Sequence, residues 1–135
     1  DKALEKGKML MTTAEATAAG ITSFDITSAT DKFIKENPEL LRSFLEVTAE
    51  ANATYAAGKS DMNVIAKDAG MTVEKTKNQM SGFKFPSPAD QKATWFSSGG
   101  KVEGMLAFMG NMFATSENPA LSDYSKTINT SFLPD

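Results

Sequence analysis

The side chains able to do chemistry are few, and the missing types decide more than the present ones. The 135 residues contain no histidine and no cysteine. The commonest general base is therefore absent, together with thiol nucleophiles, thiolate zinc sites and disulfides. What remains is a carboxylate flanked by hydroxyls: Asp25 follows Thr22 and Ser23 in a stretch that alternates Ser23, Asp25 and Thr27 with Phe24 and Ile26. As a strand, this stretch turns one face to a core and the other to a polar surface or cleft, where Asp25 is either a solvated carboxylate at a strand edge or a group free to make charge-assisted bonds. Thr12 and Thr13 close a second apolar run and are candidates for a strand-end crevice. Glu46 and Glu50 share a helix face, but Arg42 lies four residues before Glu46, so they read as a solvated face with ion-pair support.

The aromatic and sulfur-bearing residues read as packing. Trp95 beside Phe96 is expected to fill a core or an interlobe seam, and Phe85 either packs inward or reaches a cleft. Lys84 reads as a surface charge. Met105, Met109 and Met112, interleaved with Leu106, Phe108 and Phe113, keep helical spacing and predict a core or a helix–helix seam.

The elements that must position these residues follow from local signals. Residues 1–6 read as the tail of a helix stopped by Gly7, 8–13 as a buried strand, 14–20 as a small-residue connection with room for a helical turn and 21–29 as a second strand. Residues 31–36 read as a short amphipathic turn. Asn37-Pro38-Glu39 then opens the clearest helix, with Asn37 as cap and Pro38 at the first position, running to Gly58. Shorter helices are expected over 60–69, stopped by Gly70, and over 72–80, capped by Thr72. Residues 83–85 read as extended, and Ser87-Pro88 starts a helix over 89–97. Gly99-Gly100 breaks it, an apolar helix follows to Thr115, and Ser122 caps a last helix carrying Tyr124, Ile128 and Phe132.

Two short strands cannot make a stable sheet alone, so the pattern predicts partner strands outside these residues. Net charge is −3 with a pI near 5.0, so no basic surface is available to neutralise phosphates and no nucleic-acid partner is expected. No apolar run is long enough to cross a bilayer. The start at Asp1 reads as that of an internal fragment or a trimmed chain.

Several stretches together resemble the C-terminal part of the nitrate, sulfonate and taurine solute-binding family of periplasmic importer components. They are Ala3-Leu4-Glu5-Lys6-Gly7-Lys8-Met9-Leu10, Gly20-Ile21-Thr22-Ser23-Phe24-Asp25, the run from Asp31 through Asn37-Pro38-Glu39 to Leu41, Lys84-Phe85-Pro86-Ser87-Pro88-Ala89-Asp90-Gln91, and Asp123-Tyr124. The resemblance runs through nearly the whole chain in order. One departure is Ala19, where the taurine-type pattern carries an aromatic residue.

The resemblance implies an α/β fold, the C-terminal part of a two-lobed (type II) periplasmic binding protein, mostly helical here with two short strands. Residues 1–28 would hold the end of one lobe's sheet and a crossing strand, and 29–135 the helical return to the other lobe. It implies a periplasmic protein without enzymatic activity or cofactor that captures taurine or a related small sulfonate and delivers it to an ABC permease in the membrane. Asp25 would hold the ligand's ammonium, with Ser23, Thr22 and Phe85 as further ligand-binding residues. The sheet would be completed by the N-terminal part of the same protein or by a second copy. The other readings are a helical protein-interaction domain using the Met-rich helix, a binding protein of the same fold for nitrate or a thiamine-precursor pyrimidine, and a related pyrimidine-precursor synthase. The last relies on histidine chemistry, which this chain lacks.

Overall fold

A computed structural model describes residues 2–19 and 24–135 and divides the chain into two compact units, Asp1–Asp31 and Lys32–Asp135. In the first unit a short 3-10 turn, Lys2–Glu5, precedes helix α1, Thr13–Ala18. The second unit carries α2 (Asp31–Glu36, beginning at the boundary), α3 (Pro38–Ala56), α4 (Met62–Asp68) and α5 (Val73–Met80). It continues with α6 (Pro88–Asp90), which widens directly into a π-helical turn over Gln91–Trp95. Helix α7 (Lys101–Phe113) and a 3-10 turn at Ser125–Thr127 complete it.

The α/β expectation is overturned: the described residues contain helices and no strand. The reason is clearest at Thr12 and Thr13, which were expected to end a strand. The Thr12 hydroxyl accepts from the Glu15 backbone N–H at 3.2 Å, while the Glu15 carboxylate accepts from the Thr12 backbone N–H at 2.7 Å. This reciprocal capping box satisfies orphan donors at once and starts α1 instead. Residues 8–11 precede it without regular structure, and Leu10 is 98% exposed. Residues 24–29 likewise form no ladder, because a strand without a neighbour has nothing to satisfy its backbone. The remainder of the second expected strand, with Thr22 and Ser23, lies outside the described residues.

The helices of the second unit follow their local signals closely. Pro38 occupies the first turn of α3, although the Asn37 side chain turns back to donate to the Phe33 carbonyl at 3.5 Å and does not cap. Helix α3 ends in a Schellman arrangement: Gly58 N–H donates to the Tyr55 carbonyl at 2.9 Å and Lys59 N–H to the Thr54 carbonyl at 3.0 Å. Gly58 has φ of +69°, a conformation only glycine adopts without strain. Asp61 caps α4 and Thr72 caps α5. These two helices pack on each other, with Ala66 and Thr76 buried; the Thr76 hydroxyl donates to the Thr72 carbonyl at 3.0 Å, leaving no polar atom wasted.

The expected last helix shrinks to the single turn Ser125–Thr127. Its N-cap position is Tyr124 and not Ser122, and just before it the Asp123 carboxylate accepts from the Ser125 N–H at 2.9 Å and the Ser125 hydroxyl at 2.6 Å. The Arg42 guanidinium lies 4.9 Å from the Phe132 ring centre and ties this tail to α3. Arg42 also sits 4.0 Å from Glu39, so the expected pairing toward Glu46 is replaced by one in the opposite direction along the helix.

The Met-rich helix is the other correction. Only Val102 of α7 is buried, while Phe108, Met109, Met112 and Phe113 are exposed. The apolar spacing forms the helix, but most of that stripe has no core to enter.

Candidate functional site

The second unit contains an open groove of about 550 Å³ between α3, α4 and the extended segment after α5. Its apolar walls are Val47, Ala51, Tyr55, Ile65 and Phe85. Three charged residues, Glu50, Lys59 and Asp61, stand around it. The sequence reasons for this arrangement are local. The Schellman stop at Gly58 turns the chain sharply, so that Lys59 and Asp61 follow the end of α3 at once. Glu50 comes from the body of α3 itself.

Phe85 holds the back of the groove. Its ring meets Tyr55 edge-on, with centroids 5.2 Å apart and planes at 81°, and Phe83 at 6.2 Å and 67°. The Tyr55 hydroxyl donates to the Met80 carbonyl at 3.0 Å and so fixes the ring that Phe85 leans on. On the other side of Phe85 lies a smaller slot of about 280 Å³, walled by Ala49, Ala53, Ala56, Pro86 and Pro88. Phe85, together with Asn52, thus lines both the charged groove and the mostly apolar slot and forms the partition between them. The Gln91 side chain donates to the Pro86 carbonyl at 2.9 Å, and Ser87 caps α6 by accepting from Asp90 N–H at 3.1 Å. Together these bonds fix the 84–91 segment that carries Phe85.

Asp61 accepts from the backbone N–H of Asn63 at 2.8 Å and from its side-chain amide at 3.1 Å. The backbone bond first, and the side-chain bond second, hold its carboxyl below the usual carboxylate range. A depressed folded value means that the cap contributes fully above the unfolded carboxylate value and is lost as pH falls through the folded one. We expect acidification to release α4 at its N-terminus, seen as faster amide exchange at Asn63. Asp61→Asn should remove that pH dependence while keeping a capping oxygen.

The candidates expected from sequence fall in different places. Asp25 is exposed in the first unit, and Thr22 and Ser23 lie outside the described residues. Phe85 is half-buried in the second unit and lines both cavities. Lys84 is exposed, and half-buried Trp95 has the Lys101 ammonium 4.9 Å from its ring centre. Glu50, Tyr55, Lys59 and Asp61 were not expected at a site. The available signal was Gly58, since a helix stop followed by Lys59-Ser60-Asp61 returns charged residues to the end of the helix just left. Among the described residues no cluster of acidic side chains is arranged to hold a metal ion, and no helix is long and apolar enough to cross a membrane.

Comparison of the chain with family models, with curated proteins and with solved structures finds no match.

Proposed function

We propose that this chain belongs to the solute-capturing component of an ABC importer and takes taurine or a related small sulfonate for delivery to the membrane permease. The reading rests first on the ordered set of sequence resemblances that ends in the 84–91 and 123–124 segments. The observation that supports it in the molecule is the groove beside Phe85. A zwitterionic amino-sulfonate needs carboxylate for its ammonium and cationic or N–H donors for its sulfonate. Glu50, Asp61 and Lys59 supply both signs around one apolar wall. Separately from the groove, the sequence resemblance assigns Asp25 of the first unit to the ligand's ammonium, with Thr22 and Ser23 as hydroxyl donors.

Isothermal titration of the chain with taurine, an alkanesulfonate, nitrate and a pyrimidine tests this directly. Saturable heat with taurine is expected. Asp25→Ala should weaken taurine roughly 10- to 100-fold, the loss of one charge-assisted bond of about 1.5–3 kcal/mol. Heat with nitrate or the pyrimidine alone would sink the sulfonate reading, and unchanged taurine affinity in the variant would remove Asp25 from the site.

A second reading, a helical interaction domain docking through α7, is favoured by the exposure of Phe108 and Phe113, 64% and 66%. Substitutions on α7 leave the taurine heat intact under the first reading, which separates the two.

A further inference from the structure

The groove of the second unit is larger than taurine needs. Taurine has roughly the volume of three or four water molecules, about 100 Å³, whereas the groove offers about 550 Å³. Cavities of roughly 300–1,000 Å³ take ligands with a sizeable apolar body and a few polar groups. The surplus here has apolar walls. Val47, Ala51 and Tyr55 recur at every fourth residue of α3 and line the groove as one row. At the helical rise per residue that row is about 12 Å long.

The charges stand in a set order along the row. Lys59 follows its C-terminal end directly after the stop at Gly58, Glu50 flanks its middle, and Val47, 66% exposed, closes its N-terminal end. Among the described residues the Lys59 ammonium and the Glu50 carboxylate take part in no ion pair and no side-chain hydrogen bond, although they line one groove. Asp61, by contrast, is occupied in capping α4. Cation, carboxylate and apolar wall therefore succeed one another in one direction, with the two charges not neutralising each other.

We infer that the ligand of this groove is an amino-sulfonate whose nitrogen carries an apolar hydrocarbon group, so that taurine is only its head. In such a molecule sulfonate, ammonium and hydrocarbon come in the same order as Lys59, Glu50 and Val47. The sulfonate meets the Lys59 ammonium and the ligand's ammonium meets Glu50, both through charge-assisted bonds. The hydrocarbon covers Val47 and Ala51, apolar area that taurine leaves in water. This deepens the solute-capture reading, on which it rests, by naming what the nitrogen carries.

Isothermal titration of the chain with taurine, N-cyclohexyltaurine and cyclohexylamine is the test. With one face of its ring on the groove, N-cyclohexyltaurine should bind roughly 10- to 100-fold more tightly than taurine. Cyclohexylamine, which lacks the sulfonate, should bind at least tenfold more weakly than N-cyclohexyltaurine. Val47→Ser should narrow the gap between N-cyclohexyltaurine and taurine severalfold, with unchanged helical circular dichroism. Lys59→Gln should weaken both sulfonates by a similar factor and so preserve their ratio. Taurine heat with N-cyclohexyltaurine no tighter overturns the inference and leaves the solute-capture reading standing, and so does a gap that Val47→Ser leaves unchanged. Cyclohexylamine binding as tightly as N-cyclohexyltaurine removes the sulfonate from the groove and overturns both, as does a chain that gives no heat with any of the three.

Discussion

Gly100→Ala is expected to destabilise the second unit by about 2–4 kcal/mol in urea unfolding, a large effect for one methyl group. A Cβ at this position would lie 2.6 Å from the Ser97 carbonyl oxygen and 2.9 Å from that of Trp95. Both are backbone atoms, so no side-chain rotation relieves the overlap. The turn containing them is closed by the Gly100 N–H donating to the Ser97 carbonyl at 2.8 Å, and moving the carbonyl away breaks that bond. The consequences reach further, because Gly100 also stands at the N-cap of α7 and its own carbonyl accepts from Gly104. Displacing it detaches α7 from the π-helical turn and parts Lys101 from the Trp95 ring. Buried Val102, next along the helix, then loses its seat. Gly104→Ala in the same helix is the control. With open space around it and a better helix former in place, it should leave the monomer unchanged or slightly more stable. Equal stability of the Gly100 and Gly104 variants would show that the crowding at Gly100 is relieved at no cost.

Signals confined to a few neighbouring residues were the ones legible in the sequence. Pro38 at the start of α3, Thr72 capping α5, the stops at Gly58 and Gly70 and the break at Gly99-Gly100 each depend on backbone groups within one turn, and each appears where its residues say it should. The strands failed because a strand is decided by a neighbour that the local pattern does not contain. Thr12 is the instructive case: β-branched side chains favour extended structure, but a threonine three residues before a glutamate can begin a helix without any partner. The Met-rich stripe failed for a related reason. Its spacing correctly predicts a helix, yet whether the apolar face is covered depends on what lies beside it, and α7 covers mainly its Val102 side. The groove was only partly legible. Phe85 was singled out, whereas Glu50 read as a solvated charge because its nearness to Lys59 and Asp61 arises only after the chain reverses at Gly58.

Phe85→Ala should cost about 2–3 kcal/mol and abolish taurine heat if the groove holds the ligand. Full truncation of a buried phenylalanine costs about 3–5 kcal/mol, and Phe85 is half-buried, which lowers the figure. Part of the loss, about 0.5–1.5 kcal/mol, is the edge-on contact with Tyr55. The rest comes from joining the 550 Å³ groove to the 280 Å³ slot, which leaves the alanine wall of α3 without a covering ring. Phe85→Leu keeps a partition of nearly the same reach and should cost under about 1.5 kcal/mol. Phe83→Ala, at a ring already 50% exposed, is expected to stay below the Phe85→Ala loss because it lines neither cavity. The decisive comparison is between stability and binding. If Phe85→Leu preserves the fold and taurine heat while Phe85→Ala preserves helical content but loses the heat, the partition itself positions the ligand. Taurine heat that survives Phe85→Ala would place the ligand away from this groove and leave Phe85 as a packing residue of α3.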